Sequence, residues 1–241
     1  MTGFRSFATT HEGARRRHNE DSYVNRPDLG LWAVADGAGG HEAGEVASAM
    51  IRSALEAIPA GLAAGRLLGE VRERLLEVHV ELCEEAARRG PGTMIASTVV
   101  VLLARDDHFA ALWAGDSRIY LLRAGVLTQV THDHSLVQEM VDSGALAASE
   151  AEGHPRANVI TRAVGGGDEV LALDKVTGTV LADDRFLLCS DGLSKTLPEA
   201  EIAGLLATPD GVAPTELLIA AALAREADDN VTAVVVRTGD C

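Results

Sequence analysis

Apolar and polar residues alternate along this chain in patterns that predict both strands and helices. Short runs of Val, Ile, Leu and Ala, bounded by turn-forming residues, are typical of β-strands. Asp106-Asp107 and Ala124-Gly125 each separate two neighbouring runs, which favours antiparallel hairpins. The predicted strands cover residues 31–35, 97–103, 109–114, 119–122, 175–180, 186–189 and 231–236.

Helical periodicity interrupts these strands in three places. Apolar residues recur at three- and four-residue spacing over 47–58 and 68–82, and a further amphipathic helix is predicted over 215–225. The order of strands, two helices, many strands, a helix and a last strand predicts an α+β fold with helices covering antiparallel sheets. Residues 134–159 combine a short helix with small polar residues, which predicts a mobile flap beside a site.

The composition narrows the functional classes. Among the 241 residues, 36 are acidic and 21 are basic, and the formal net charge is −15. Such a balance disfavours sequence-independent binding to nucleic acid and to anionic membrane surfaces. No stretch approaches the ~18–20 apolar residues of a membrane-spanning helix, and Met1 to Ala14 lack a secretory apolar region. We therefore expect a cytoplasmic protein with no membrane insertion.

Aspartates next to predicted strand ends are the informative chemical feature. Asp36 and Asp191 each follow a predicted strand and precede a glycine, Asp116 follows another strand, and Asp229 precedes the last one. A single Asp-Gly pair is most often a turn. Several carboxylates converging would repel unless cations lay among them, and hard oxygen ligands favour Mg²⁺, Mn²⁺ or Ca²⁺. With three cysteines and no C-x-x-C spacing, zinc fingers and a disulfide framework are poorly supported.

The ordered motifs resemble those of the metal-dependent serine/threonine protein phosphatases of type 2C, in the compact bacterial branch. The resemblance extends from about residue 13 to residue 236. Any one motif is weak, but the ordered set is highly specific. The motifs are Arg16-x-x-Asn19-Glu20-Asp21, Ala35-Asp36-Gly37-Ala38-Gly39-Gly40-His41-x-x-Gly44-Glu45, Ser97-Thr98, Gly115-Asp116-Ser117-Arg118-x-Tyr120, Thr131-x-Asp133-His134-Ser135, Ile160-Thr161-Arg162-Ala163-x-Gly165, Ser190-Asp191-Gly192-Leu193 and Asp229-Asn230-x-Thr232.

The resemblance implies a single catalytic domain over residues 1–241, built as two packed antiparallel sheets flanked by helix pairs, an α-β-β-α sandwich. The flap at about 134–159 would be a small subdomain within it. Two to three divalent ions, Mn²⁺ or Mg²⁺, would lie in a cleft at one end of the sheets.

Roles for individual residues follow from the same resemblance, position by position. Asp36 would bridge two metal ions, and the Gly37 carbonyl would bind one of them. Asp191 and Asp229 would complete this binuclear centre, and Asp116 would share a third ion with Asp191. Glu20 and Asp21 would hold coordinated water, and Arg16 would bind the substrate phosphate. His41 is either a general acid or a structural residue.

The implied activity is hydrolysis of phosphoserine and phosphothreonine in proteins by a metal-activated water, with no phosphoenzyme. Its partners would be phosphoproteins, including a Ser/Thr kinase that it opposes and the targets of that kinase, and we expect a monomer. Control of type VI secretion is one known setting for such pairs. Three alternatives stay open: a phosphatase of an anti-sigma-factor antagonist, a pseudophosphatase that binds phosphoproteins without hydrolysis, and a calcium-stabilised scaffold.

Overall fold

The computed structural model describes residues 3–38, 43–167, 170–209 and 212–239. Its strands form two antiparallel sheets, as the sequence predicts. In chain order the strands are β1 (Gly3–His11), β2 (Asp21–Arg26), β3 (Leu31–Ala38), β4 (Ala96–Ser97), β5 (Val99–Arg105), β6 (His108–Ala114), β7 (Arg118–Arg123), β8 (Val126–Gln129), β9 (Asp174–Thr179), β10 (Arg185–Cys189) and β11 (Val231–Gly239). The first sheet has the order β1-β11-β10-β7-β8, and the second has the order β2-β3-β5-β6-β9, with β4 paired to β3.

Helices cover the outer face of each sheet. The α-helices of the described residues are α1 (Ala43–Glu56), α2 (Ala64–Arg89), α3 (Leu136–Asp142), α4 (Asp191–Ser194), α5 (Glu199–Leu206) and α6 (Pro214–Ala224). Helices α1 and α2 pack on the second sheet, and α4, α5 and α6 pack on the first. No helix in the described part of the chain has the length and apolar character needed to cross a membrane.

Two-residue alternation within the strands explains the layering. In β3, Leu31 and Ala33 face the helices α1 and α2, whereas Trp32 and Val34 enter the cluster between the two sheets. Strand β11 repeats this arrangement, because Val235 packs towards the helices of its own sheet and its neighbours Val234 and Val236 pack between the sheets. The predicted α-β-β-α sandwich is therefore confirmed.

Several predicted boundaries differ from the structure. Strand β3 continues through Asp36 and Gly37 to Ala38, because β2 and β4 pair with that extension. The predicted strand 97–103 is interrupted at Thr98, whose amide donates to the Asp36 carbonyl at 2.9 Å. Strands β1, β2 and β8 were not predicted, because their residues are mixed in polarity and owe their conformation to pairing with β11, β3 and β7.

The predicted flap has little packing of its own. It contains α3 and a short 3-10 helix (Ala148–Glu150), and no residue between positions 138 and 160 is buried. The Ser135 hydroxyl accepts a hydrogen bond from the Gln138 amide and so begins α3. Few buried side chains mean little resistance to local opening, so mobility of this segment stays our prediction.

Candidate metal centre

Five aspartates from both sheets converge where the ends of the strands meet. Asp21 and Asp36 lie opposite each other on β2 and β3. The other three lie just outside strands: Asp116 in the turn from β6 to β7, Asp191 at the start of α4 directly after Ser190, and Asp229 shortly before β11. The other four aspartates all act electrostatically on the Asp36 carboxylate, so the five form one group of interacting charges.

Two hydroxyl groups from the first sheet fix the Asp21 carboxylate, which belongs to the second sheet. Ser190 Oγ donates to Asp21 Oδ2 at 2.8 Å, and Thr232 Oγ1 donates to the same oxygen at 2.6 Å. Asn230 adds a further connection, since its side-chain oxygen accepts from the Glu20 amide at 2.9 Å. These contacts hold β2 against β10 and β11 at the point where the aspartates meet.

The glycines after Asp36 and Asp191 permit close approach of neighbouring backbone. A Cβ on Gly37 would lie 2.2 Å from the Gly44 carbonyl oxygen and 2.7 Å from that of Glu20. A Cβ on Gly192 would lie 2.1 Å from the Asn230 carbonyl oxygen. Both Asp-Gly pairs are thus packing requirements of the site, since no larger residue fits without displacing backbone.

Burial makes the negative charges of this group costly. It raises the pKa of Asp21 to about 7 and that of Asp116 to about 6, and the Asp191 carboxylate acts in the same direction on both. Burial and the surrounding carboxylates also raise the pKa of Asp36 well above its usual value. Bound cations would therefore favour full ionisation of this group at neutral pH, because they compensate its negative charge.

Two basic side chains provide part of that compensation. Arg16 Nη2 lies 2.7 Å from Asp229 Oδ2. Lys195 Nζ lies 2.6 Å from Asp191 Oδ2 and 3.2 Å from Asp116 Oδ2. Although burial opposes the charge on Lys195, the Asp191 and Asp116 carboxylates raise its pKa above the usual value. Lys195 is not among the residues predicted from the sequence, although its position four residues after Asp191 in a helical turn is a usable signal.

The donor set fits divalent ions of the hard class. Asp21 Oδ1 and Asp116 Oδ1 are buried and have no hydrogen-bond partner among the described residues, so each has a lone pair available to a cation. All nearby side-chain ligands are carboxylate oxygens, which suit Mg²⁺ or Mn²⁺. Within the described ranges, no three His, Cys, Asp or Glu side chains are arranged closely enough to hold a metal ion as they stand. Arg16 and Lys195 bind oxygens of three of the aspartates instead.

The sequence-predicted residues are therefore largely brought together. The five aspartates and Gly37 meet at one place, and Arg16 lies beside Asp229. The backbone of Glu20 lies within the site, where its carbonyl accepts from the Gly37 amide at 3.2 Å. His41 lies outside the described residues.

Comparisons with known proteins agree with this geometry. The family model described as "Protein phosphatase 2C" matches residues 10–222. The chain is 37% identical over 237 residues to the serine/threonine protein phosphatase PstP of Mycobacterium tuberculosis, with 97% of this chain and 45% of PstP aligned. It thus spans less than half of that relative. A structure of the PstP catalytic domain in complex with two manganese ions is 34% identical, with a TM-score of 0.83 and full coverage of both chains.

Two further matches extend over nearly the whole of both proteins. The serine/threonine phosphatase stp of Listeria monocytogenes is 33% identical over 235 residues, covering 94% of this chain and 93% of stp. The structure of PppA, described as a key regulatory component of T6SS in Pseudomonas aeruginosa, is 44% identical, with a TM-score of 0.90 and coverage of 98% and 97%.

Proposed function

The chain belongs to the protein phosphatase 2C family of metal-dependent enzymes, and we propose from that premise that it hydrolyses phosphoserine and phosphothreonine in proteins. The predicted family resemblance is confirmed. The observation that carries the proposal is the convergence of five aspartates contributed by both sheets, of which Asp21 and Asp116 are buried. Manganese-dependent hydrolysis of phosphopeptides, abolished by EDTA, is the experiment that tests it. Binding of phosphopeptides without hydrolysis would instead indicate a pseudophosphatase.

The ligand roles that we propose are those that the family resemblance implies for these residues. Asp36, the Gly37 carbonyl, Asp191 and Asp229 would hold two ions, and Asp116 would share a third with Asp191. Glu20 and Asp21 would hold water molecules next to them. Divalent ions held there would screen the charge of the phosphate and would lower the pKa of a bound water, so that hydroxide is available at neutral pH to attack phosphorus.

The contribution of the protein is to orient these ligands before the substrate arrives. The hydroxyls of Ser190 and Thr232 fix Asp21, and the Thr98 amide fixes the backbone of Asp36. The Ser117 and Thr98 hydroxyls lie 2.7 Å apart and hold the turn that carries Asp116. Carboxylates held in this way need no rearrangement during the reaction, which is the main source of electrostatic catalysis.

Arg16 is the proposed ligand of the substrate phosphate. Its side chain is half exposed, and one arm of the guanidinium contacts Asp229. This contact directs the planar group towards the carboxylates while leaving other N–H donors accessible to a substrate. A guanidinium can donate to two phosphate oxygens at once.

Replacing Arg16 by alanine should weaken phosphopeptide binding by about 1.5–3 kcal/mol, the range for a hydrogen bond to a charged group. Arg16→Lys should recover only part of that loss, because an ammonium lacks the planar pair of donors. The measurement is KM for a phosphopeptide, together with calorimetric titration of Mn²⁺, which should change little. Arg17→Ala removes an exposed neighbouring arginine and is the matched control. Wild-type kinetics in Arg16→Lys would contradict the assignment.

We further propose that the flap at 134–159 recognises protein substrates. Its exposed residue Asn158 lies 3.0 Å from Lys195 Nζ, so the segment reaches the edge of the metal centre. A small phosphate ester does not extend to residues 147–153, whereas a folded phosphoprotein does.

Deleting part of 147–153 should therefore lower kcat/KM for a phosphoprotein more than for p-nitrophenyl phosphate. The small substrate is the internal control, since it reports the metal centre alone. Equal slowing of both substrates would show that the segment has a structural role and no part in recognition.

The biological setting that we propose is opposition to a bacterial Ser/Thr kinase. The 44% identity to PppA makes regulation of type VI secretion the setting to test first. Phosphoproteomics of a strain carrying the Asp36→Asn allele should show phosphothreonine accumulating on secretion-system components. Unchanged phosphorylation of those components would point to other substrates.

A further inference from the structure

Lys195 lies inside the group of acidic residues and uses every donor that it has. Its Nζ donates to Asp191 Oδ2 at 2.6 Å, to Asp116 Oδ2 at 3.2 Å and to Asn158 Oδ1 at 3.0 Å. An ammonium group has three N–H donors, and each has a separate acceptor here. The side chain is therefore held in one position, between two aspartates and the flap.

The Asp116–Asp191 pair requires a cation. Only 3% of Asp116 is exposed, and its Oδ1 is buried without a hydrogen-bond partner among the described residues. Lys195 contributes one positive charge to two carboxylates, whereas a divalent ion contributes two. Lys195 occupies one oxygen of each carboxylate, Asp116 Oδ2 and Asp191 Oδ2, and a divalent ion bound between the same two side chains would meet the ammonium charge at that position. The two cations therefore compete for this pair.

The same lysine connects the pair to the flap. Asn158 belongs to the stretch between positions 138 and 160 in which no residue is buried. At the base of the flap, the Leu136 amide donates to the Val159 carbonyl at 2.9 Å, and the Thr161 amide donates to the His134 carbonyl at 2.9 Å. The Asn158–Lys195 hydrogen bond thus joins the flap to the residue that follows α4 and, through it, to Asp116 and Asp191.

We propose that Lys195 is an internal competitor of the divalent ion at the Asp116–Asp191 pair, so that binding of the ion displaces the ammonium group and releases Asn158 with the flap. This inference rests on the proposed roles of Asp116 and Asp191 as metal ligands. It makes Lys195 a positioning residue that couples metal occupancy to the freedom of the substrate-recognition segment.

The first arm of the test measures metal affinity. Calorimetric titration of the full chain with Mn²⁺ should show that Lys195→Met binds the weakest ion at least about tenfold more tightly than wild type, because a charge that competes for the same oxygens has been removed. Lys195→Arg retains the charge and should keep the weak affinity. Thermal unfolding of each variant checks that the fold is intact. Equal affinity in wild type and Lys195→Met would overturn the proposal.

The second arm measures amide hydrogen exchange in the peptide covering 143–160. In wild type, exchange should accelerate as the weakest Mn²⁺ binds. In Asn158→Ala, which breaks the connection without changing any charge, exchange should already be fast and independent of Mn²⁺. The affinity for the weakest Mn²⁺ should rise, because the ion no longer has to break this hydrogen bond. Exchange that slows on metal binding, or that does not respond in wild type, would overturn the coupling.

The two arms also separate this proposal from the proposed function. If wild type neither binds Mn²⁺ nor hydrolyses phosphopeptides, the phosphatase assignment itself fails. If wild type binds Mn²⁺ and is active, but Lys195→Met has an unchanged weakest affinity, only the competition by Lys195 is wrong.

Discussion

Asp36→Asn should lower kcat for phosphopeptide hydrolysis by at least ~10²-fold, the scale of losing one preorganised group that stabilises charge. The carboxylate of Asp36 is affected electrostatically by the four other aspartates of the site, Asp21, Asp191, Asp116 and Asp229. Asparagine preserves the shape of the side chain and removes its charge, so the loss would report on electrostatics and metal binding. Calorimetry should show weakened Mn²⁺ binding in parallel.

The stability of the same variant provides an independent check. Burial and the other carboxylates raise the pKa of Asp36, which means that ionised Asp36 is unfavourable in the folded protein unless a cation compensates it. In EDTA, Asp36→Asn should therefore unfold at a temperature no lower than that of wild type. Asp106→Asn, at an exposed turn position with φ of 53°, is the matched control for the chemical change. Full activity in Asp36→Asn would refute the binuclear assignment.

The sequence was sufficient for those parts of the site that adjoin apolar strands. Asp191 and Asp229 flank β10 and β11, whose runs of buried Val, Leu and Ala stand out in any hydrophobic pattern. Alternation then fixes which residues face the helices and which face the other sheet. Asp191 and Asp229 must lie at the same edge once β10 pairs with β11. The ligand roles of all four aspartates came from the family resemblance, because Asp36 lies in the other sheet and Asp116 follows a strand of that sheet.

The pairing of strands with few buried residues could not be predicted from the local sequence pattern. Strand β1 has no fully buried residue, yet it pairs with β11 over its whole length. Strand β2 contributes Asp21, and the position of that carboxylate opposite Asp36 follows from the β2–β3 register. Propensity and periodicity carry no information on such pairings, because the stabilising partner is elsewhere in the chain.

The contacts of charged side chains also divide into local ones, which the sequence can predict, and long-range ones, which it cannot. The link from Lys195 to Asp191 has helical i,i+4 spacing and was available to sequence reasoning, whereas its links to Asp116 and Asn158 join residues 79 and 37 positions apart. Arg118 likewise pairs with Asp133, a carboxylate 15 positions further along the chain.

Asp133→Ala should destabilise the protein by about 3–5 kcal/mol, the cost of leaving a buried charge without its partner. The Asp133 side chain is only 8% exposed and accepts from Arg118 through both oxygens, with Nη2 at 2.7 Å and Nε at 3.0 and 3.1 Å. Gln129 donates to the same carboxylate at 2.8 Å, and Arg118 in turn donates to the Tyr120 hydroxyl at 2.9 Å. For a domain of this size, that loss corresponds to a decrease in Tm of roughly 6–20 °C in thermal unfolding.

The double variant Arg118→Met/Asp133→Leu separates an unpaired charge from lost packing. If the cost of Asp133→Ala comes from the isolated guanidinium, replacing both partners by apolar residues should recover most of the stability. Arg118 lies two residues after Asp116, the proposed ligand of the third ion. If the Arg118–Asp133 pair orients the turn that carries Asp116, the double variant should lose the weakest Mn²⁺ binding event in a titration and keep the tighter ones. A double variant as unstable as Asp133→Ala would mean that packing around the pair, and not its charge, holds β7 in place.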